Sequence, residues 1–533
     1  MVLGVDWLRV YSPILFDFVK LKLSFKKEER MIELKGVVNE VRLQEIMATK
    51  AYKSLKKAVS GFDGQFFAIE VVEAAVDDEK DPVVEALLKE FHMVFAESTQ
   101  LSPVSNLDHK IPLFPGAKSV NIRPYRSFLI QKEEIERLVK DMLKNGIIQH
   151  SSSSFASPVL LVKKKYNTWR FCIDYGHLNS LTVQNKLPIS LVDELLNELH
   201  GSRFFSKLDI RSAYHQVRMF EADVEKTAFR THHGHYEFKV MPFGLTNAPT
   251  TFQTLINNVL EPNLRKFILV FFYDILVYSS TLELHISHLK LVLEQLKNNQ
   301  LFPKRSKCSF CKRQVEYLGH IISKKEVTID PKKTEAVKDW PVPSAIKELR
   351  GFLSLAGYYR KFIQGFGMIS KPLTDLLKKN SFVWNNKAQD AFDKIKVALS
   401  TAPVVALPDF DKVFVLETDA CSSGLEAVLS QEGRPLAYFS KALSLRHLRL
   451  LIYKAKYMAI LMAVERWRHY LEHNQFIIKT DHESLKFLLE QKIHTPIQKK
   501  GLTMLIGLRY QIHYKKGKEN VTTDALSRIF EEE

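Results

Sequence analysis

The chain has 533 residues, 46% of them hydrophobic and 26% charged, which admits three or four globular domains and excludes a disordered basic tail. Its net charge of +17 calls for a polyanionic partner whose binding weakens with salt; an anionic membrane surface is the alternative. Four scattered cysteines (Cys172, Cys308, Cys311, Cys421) exclude a disulfide framework and suggest an intracellular protein, with no signal peptide and no apolar run approaching the ~18 residues of a membrane span.

Residues 1–25 read as short strands that begin abruptly, as though an upstream partner were missing. Pro82–Phe95 reads as a short amphipathic helix, and Leu101–Pro115 as an extended linker. From Gln131 the apolar residues Ile135, Leu138, Val139, Met142 and Leu143 fall at helical spacing, and Gly146 ends the helix. PVLLVKKKYNTWRFCIDY then predicts a β-hairpin with Lys163, Lys164 and Lys165 at its tip, closed by Trp169 and Arg170. Such cations suit either a solvated turn or a triphosphate.

RFFSKLDIRSAYHQVRM predicts a strand ending at Asp209 and a turn into a helix carrying Tyr214. His232, His233 and His235 flank Gly234 and read as a turn between strands rather than a metal site. A helix over Thr246–Leu260 carries Asn247, Pro249 and Gln253.

Phe267–Ser280, FILVFFYDILVYSS, sets two apolar, β-branched and aromatic runs around Asp274, the pattern of a buried hairpin. A carboxylate there needs a partner, for which a divalent metal is one solution and a solvated edge position the other. Helix Glu283–Lys297 follows, then Cys308 and Cys311 with His320 nearby, too few ligands for a zinc site. VEYLGHIIS predicts another hairpin, and Pro331–Lys379 is mostly helical and basic. The last part alternates strands and helices, with Asp419, Asp481 and Asp524 at strand ends or a helix start, an α/β domain with a carboxylate cluster.

WRFCIDYGHLN, FFSKLDIRSAYHQVRM, MPFGLTNAPTTFQ, FFYDILVYS, VEYLGH and ETDACSSG…KENVTTDALSR occur here in one order. Together they closely resemble the polymerase region of Gypsy-type LTR retrotransposons, the plant lineages especially. The resemblance implies a multidomain α+β and α/β protein: a right-hand polymerase of fingers, palm and thumb, a connection and a ribonuclease H-like domain. The implied divisions are a remnant of a retropepsin-like protease and spacer (1–75), a linker (76–116), fingers and palm (117–323), thumb and connection (324–405), a ribonuclease H-like domain (406–528) and a tail (529–533). The protease's Asp-Thr/Ser-Gly motif is absent and no integrase follows Arg528.

The same resemblance implies an RNA-directed DNA polymerase and ribonuclease H using Mg²⁺, with Mn²⁺ as a substitute, in a two-metal phosphoryl transfer. Its partners would be an RNA template, a DNA primer, RNA/DNA hybrid and dNTPs, without a membrane, in cytoplasm or a retrotransposon particle. Asp209, Asp274, Asp419, Asp481 and Asp524 would be the catalytic acids and metal ligands. Lys164 and Arg170 would hold the nucleotide's phosphates, Tyr214 would crowd its 2′ position, and Gln253 would line the nucleotide and template.

The sequence departs from the family at both sites. Tyr273 replaces the first acid of the hairpin's Asp-Asp pair, and a neutral phenol is a poor Mg²⁺ ligand. Lys456 stands where the ribonuclease H glutamate belongs, and Glu465 lies on the opposite helix face. Gly176, Tyr166 and Gly501 replace an Arg, an Asp and a Trp. Each change is one base from the family residue, the pattern of drift in an unselected copy. The expectation is an enzyme by descent, impaired at both centres; the alternatives are a non-catalytic binder of RNA/DNA hybrid and a decayed relic.

Overall fold

In the computed structural model the chain divides into two compact units, Met1–Val76 and Asp77–Glu533. The structure describes residues 15–17, 22–27 and 30–35 of the first unit. In the second it describes 82–96, 101–126, 128–163, 169–187, 191–421, 424–443, 452–483, 485, 501 and 503–515. The first unit holds an antiparallel sheet of β1 (Leu15–Asp17), β2 (Lys22–Lys27) and β3 (Arg30–Lys35).

In the second unit α1 (Pro82–Glu90) buries Val84, Leu87 and Leu88, as its apolar spacing predicts. The stretch after it runs extended but is not solvated: His109 and Ile111 are buried, and His109 bridges Met219. Next comes α2 (Leu129–Lys144), which buries Ile135 and Val139; Gly146, at φ +66°, follows its end. Beside it lies a five-stranded sheet ordered β4-β9-β8-β5-β6, from β4 (Ile148–His150), β5 (Ser157–Lys163), β6 (Trp169–Ile173), β8 (Phe229–Arg230) and β9 (His235–Phe238). The expected β5–β6 hairpin is present, paired from Val159↔Ile173 to Lys163↔Trp169. The histidine cluster starts in the turn between β8 and β9, as its glycine suggests, and His235 opens β9.

The central sheet has the order β10-β11-β7-β12, from β7 (Phe204–Asp209), β10 (Ile268–Phe271), β11 (Asp274–Ser279) and β12 (Ser309–Lys312). It is buried on both faces. Leu208, Ile268, Ile275 and Val277 face one core, with α3 (Ala248–Leu260) and α4 (Leu282–Asn298). Phe205, Leu269, Leu276 and Tyr278 face a second core, with α5 (Ile346–Tyr358) and α6 (Asn386–Ser400). Two cores explain why these strands are apolar throughout instead of alternating.

The second core also carries a small sheet: β13 (Val315–Tyr317), β14 (His320–Ile322), β15 (Glu326–Ile329) and β16 (Val405–Ala406). The last sheet has the order β19-β18-β17-β20-β21, from β17 (Phe414–Ala420), β18 (Gly424–Gln431), β19 (Arg434–Ala442), β20 (Phe476–Thr480) and β21 (Tyr510–Tyr514). β17 is antiparallel to β18 and parallel to β20; the long helix α7 (Ile452–Leu471) makes the crossover. Gly501 leaves no void, because a Cβ there would collide with Tyr457 and Leu461.

Candidate active sites

The first candidate site lies where β7 and β11 end side by side. Asp209 and Asp274 are direct partners across the antiparallel pair. Asp274 opens β11, while Phe272 and Tyr273 form the turn between the paired Phe271 and Asp274. Phe272 sits at φ +54°, a region a bulky side chain rarely adopts. The turn is tied down from below: the Phe272 N–H donates to Gln253 Oε1 at 2.7 Å, and Gln253 Nε2 donates to Asn257 Oδ1 at 2.8 Å. The Ile210 N–H donates to the Tyr273 carbonyl at 3.3 Å, joining the turn to the end of β7.

Each acid has a lysine. Lys307 Nζ is 3.3 Å from Asp209, and Lys207 Nζ is 3.7 Å from Asp274. Burial pushes the Asp274 carboxyl up, Lys207 pulls it down, and the Asp209 charge pushes it up again. Two facing carboxylates that repel one another suit a hard divalent cation with oxygen ligands. Tyr273 is half exposed beside them. A cleft of about 730 Å³ opens here, lined by Arg170, Asp209, Tyr214, Phe243, Tyr273 and Lys307. Tyr214 stands on a 3-10 turn (Ala213–Gln216), braced by Phe243 at 4.8 Å and Phe252 at 6.0 Å between ring centres.

The second site is at the end of β17. Asp419 there, Asp481 just after β20 and Lys456 on α7 converge. Lys456 Nζ forms an ion pair with Asp481 Oδ2 and lies 3.9 Å from Asp419 Oδ1. Glu426, opposite Asp419 in the β17–β18 register, completes the cluster. Its carboxyl is pushed up to about 7, by burial first and by the Asp419 charge second, and its Oε2 is buried without a hydrogen-bond partner. These residues do not fit a pair of divalent ions, because the Lys456 ammonium already sits between the two aspartates, offsets one of their two charges and repels a cation placed there.

Residues 162–322 match the family described as reverse transcriptase (RNA-dependent DNA polymerase). Residues 384–478 match the RNase H-like domain found in reverse transcriptase. The chain carries a reverse transcriptase domain and an RNase H-like domain. It is 38% identical over 437 residues to the retrovirus-related Pol polyprotein from transposon 297 of Drosophila melanogaster, an alignment covering 81% of this chain and 41% of that protein. The transposon Tf2-3 polyprotein of Schizosaccharomyces pombe is 34% identical over 466 residues, covering 85% of this chain and 35% of that protein. The chain thus spans about two fifths of the length of these relatives.

Among solved structures, the foamy viral protease-reverse transcriptase in complex with RNA/DNA hybrid superposes with a TM-score of 0.68 at 19% identity, over 93% of this chain and 69% of that one. The same enzyme in complex with dsDNA gives 0.70 at 19%, over 89% and 99%. The reverse transcriptase domain match contains Arg170, Asp209, Tyr214, Gln253, Tyr273 and Asp274. The RNase H-like match contains Asp419, Glu426 and Lys456.

The structure gathers Arg170, Asp209, Tyr214 and Tyr273 at one cleft, with Asp274 beside them. Gln253 differs from the expectation. It is 6% exposed and lies under the turn, because its amide satisfies the backbone of a strained residue instead of facing the open groove. Lys164 and Asp524 lie outside the described residues. Sequence reasoning missed Glu426. Its signal was an acid inside the apolar strand Leu425–Leu429, where the alternation leaves no obvious solvent position. Lys307 and Lys207 were also missed.

Proposed function

We propose that the chain is the polymerase and ribonuclease H region of a Gypsy-type retrotransposon of the plant lineages, with both catalytic centres impaired in this copy. The observation that carries the reading is the direct pairing of Asp209 with Asp274 beside a cleft lined by Arg170 and Tyr214. In it, Asp209 and Asp274 hold the metal, Arg170 and Lys164 bind the triphosphate, and Tyr214 crowds the 2′ position of the incoming sugar. Mg²⁺, or Mn²⁺ in its place, would supply activation of the primer 3′-oxygen and stabilisation of the leaving pyrophosphate. Tyr273 removes one carboxylate from this set, and Lys456 removes one from the ribonuclease H set of Asp419, Asp481 and Asp524.

RNA template, DNA primer, RNA/DNA hybrid and dNTPs are the proposed partners. The net charge of +17 and the nucleic acids bound by the foamy viral enzyme support them. Among the described residues no helix is long and apolar enough to cross a membrane. Fingers and palm would occupy 117–323, thumb and connection 324–405, and the ribonuclease H-like domain 406–528. Primer extension on an RNA template with Mg²⁺ tests the reading. The expected result is salt-sensitive hybrid binding with extension at least ~100-fold below that of Tyr273→Asp. Equal extension by the two proteins would overturn the claim of impairment; failure to bind hybrid at low salt would overturn the functional reading.

A further inference from the structure

The turn between β8 and β9 carries two consecutive histidines, and the fold sets it against α2. Glu136, on α2, reaches both. His232 Nε2 is 2.8 Å from Glu136 Oε1, and His233 Nδ1 is 4.0 Å from the same oxygen. One nitrogen from each ring and one carboxylate oxygen lie within 4.8 Å of one another. A tetrahedral zinc site with bonds of about 2.0–2.1 Å separates its ligand atoms by about 3.3–3.4 Å. Reaching that spacing closes the widest gap by up to about 1.4 Å and opens the His232–Glu136 contact by about 0.5 Å, changes that side-chain rotation supplies. The side chains are on the surface, with His233 73% exposed and Glu136 36%, so a metal has an entry path and a water can complete the shell.

The chemistry of the set is selective. Two imidazoles and one carboxylate suit a borderline transition metal better than Mg²⁺ or Ca²⁺, which take oxygen ligands. By contrast, Cys308, Cys311 and His320 do not form such a three-ligand group among the described residues.

We propose that Glu136, His232 and His233 form a zinc-binding site that staples α2 to the β8–β9 turn. β8 and β9 belong to the same sheet as the β5–β6 hairpin that carries Arg170, so the staple would hold α2 to the sheet that presents this cation to the cleft. The site is remote in chemistry from the two aspartate clusters and does not depend on their activity.

The test is calorimetric titration of the untagged, chelator-treated full chain with Zn²⁺ alone. Protection of residues 132–140 and 231–236 from hydrogen exchange is measured with and without the metal. The expected result is one saturable site of micromolar or tighter Kd, with protection of both segments. His233→Ala should weaken that site at least ~10-fold, and the same loss is expected for His232→Ala and Glu136→Gln. His233→Ala is decisive because its ring is exposed and the His232–Glu136 pair survives the change, so folding is unaffected. His92→Ala, on an exposed residue beside α1, should bind as the unaltered protein does. Unaltered affinity in His233→Ala, or no saturable zinc binding by the unaltered chain, would show an ion pair only and overturn the proposal.

Discussion

Lys456 and Asp481 form an ion pair across the space between α7 and the end of β20, and the same ammonium lies 3.9 Å from Asp419. The Lys456 side chain is only 11% exposed, so the charge is held inside the domain. A cation built into the chain here does electrostatically what an added ion would do, but it cannot coordinate a nucleophilic water.

Replacing Lys456 separates these roles. Lys456→Met should destabilise the RNase H-like domain by about 3–5 kcal/mol, because it strands Asp419 and Asp481 without a counter-charge. Hydrogen exchange along residues 452–480 in increasing urea checks this, and an unchanged midpoint there would contradict it. Lys456→Glu should instead become stabilised by Mg²⁺ and gain Mg²⁺-dependent cleavage of a labelled RNA/DNA hybrid. The unaltered chain should show neither effect.

Tyr273→Asp should raise Mg²⁺-dependent primer extension at least ~100-fold, by restoring a third carboxylate next to Asp209 and Asp274. Tyr273→Phe should leave extension where it is, since a phenol is a poor Mg²⁺ ligand beside carboxylates. A gain in Tyr273→Phe comparable to that in Tyr273→Asp would point to steric bulk rather than lost charge.

Gln253 holds the strained turn, so its removal should be felt there. Gln253→Leu leaves the Phe272 N–H without its acceptor and should cost about 1–3 kcal/mol, read as a lower urea midpoint. Hydrogen exchange should show the largest loss of protection at 270–275. Protection there equal to the unaltered chain's would refute the role.

Mild acid should destabilise the chain through its buried histidines. Burial holds His109, His215 and His285 at about 4 and His320 at about 3. In the unfolded chain imidazoles titrate near ~6.5. Between those values the unfolded state binds protons that the folded state does not, so the stabilisation is complete above pH ~6.5 and is lost as pH falls through about 4. His285 accepts and donates between Ser206 Oγ, at 2.7 Å, and Ser279 Oγ, at 3.0 Å, and is a central case. The urea midpoint should decline steadily from pH 7 to pH 5, and His285→Gln should flatten that slope. A midpoint constant over this range would contradict the prediction.

Much of the fold was legible because its signals are local. The β5–β6 hairpin, the strand ending at Asp209, α2 and the strand order of residue types in the last domain follow from period-two and helical spacing. Asp209, Asp274, Asp419 and Asp481 stood out as acids at the ends of apolar runs, and Tyr273 and Lys456 as departures from a motif. Leu101–Pro115 was harder. Its prolines and polar residues suggest a free linker, yet Ile111 is buried and its N–H donates to Asp223 Oδ2 at 2.8 Å.

The sequence by itself determined which short runs are apolar and which carboxylates close them, because these depend on residue type and on spacing of a few residues, which the chain carries before it folds; Tyr273 and Lys456 stood out only through the resemblance. Only the tertiary structure decided that Gln253 braces Phe272, that Glu426 faces Asp419, that Lys456 reaches both aspartates and that Glu136 meets His232 and His233. Their partners are as much as 97 residues away, as for Glu136 and His233, and such contacts exist only once the intervening chain has folded.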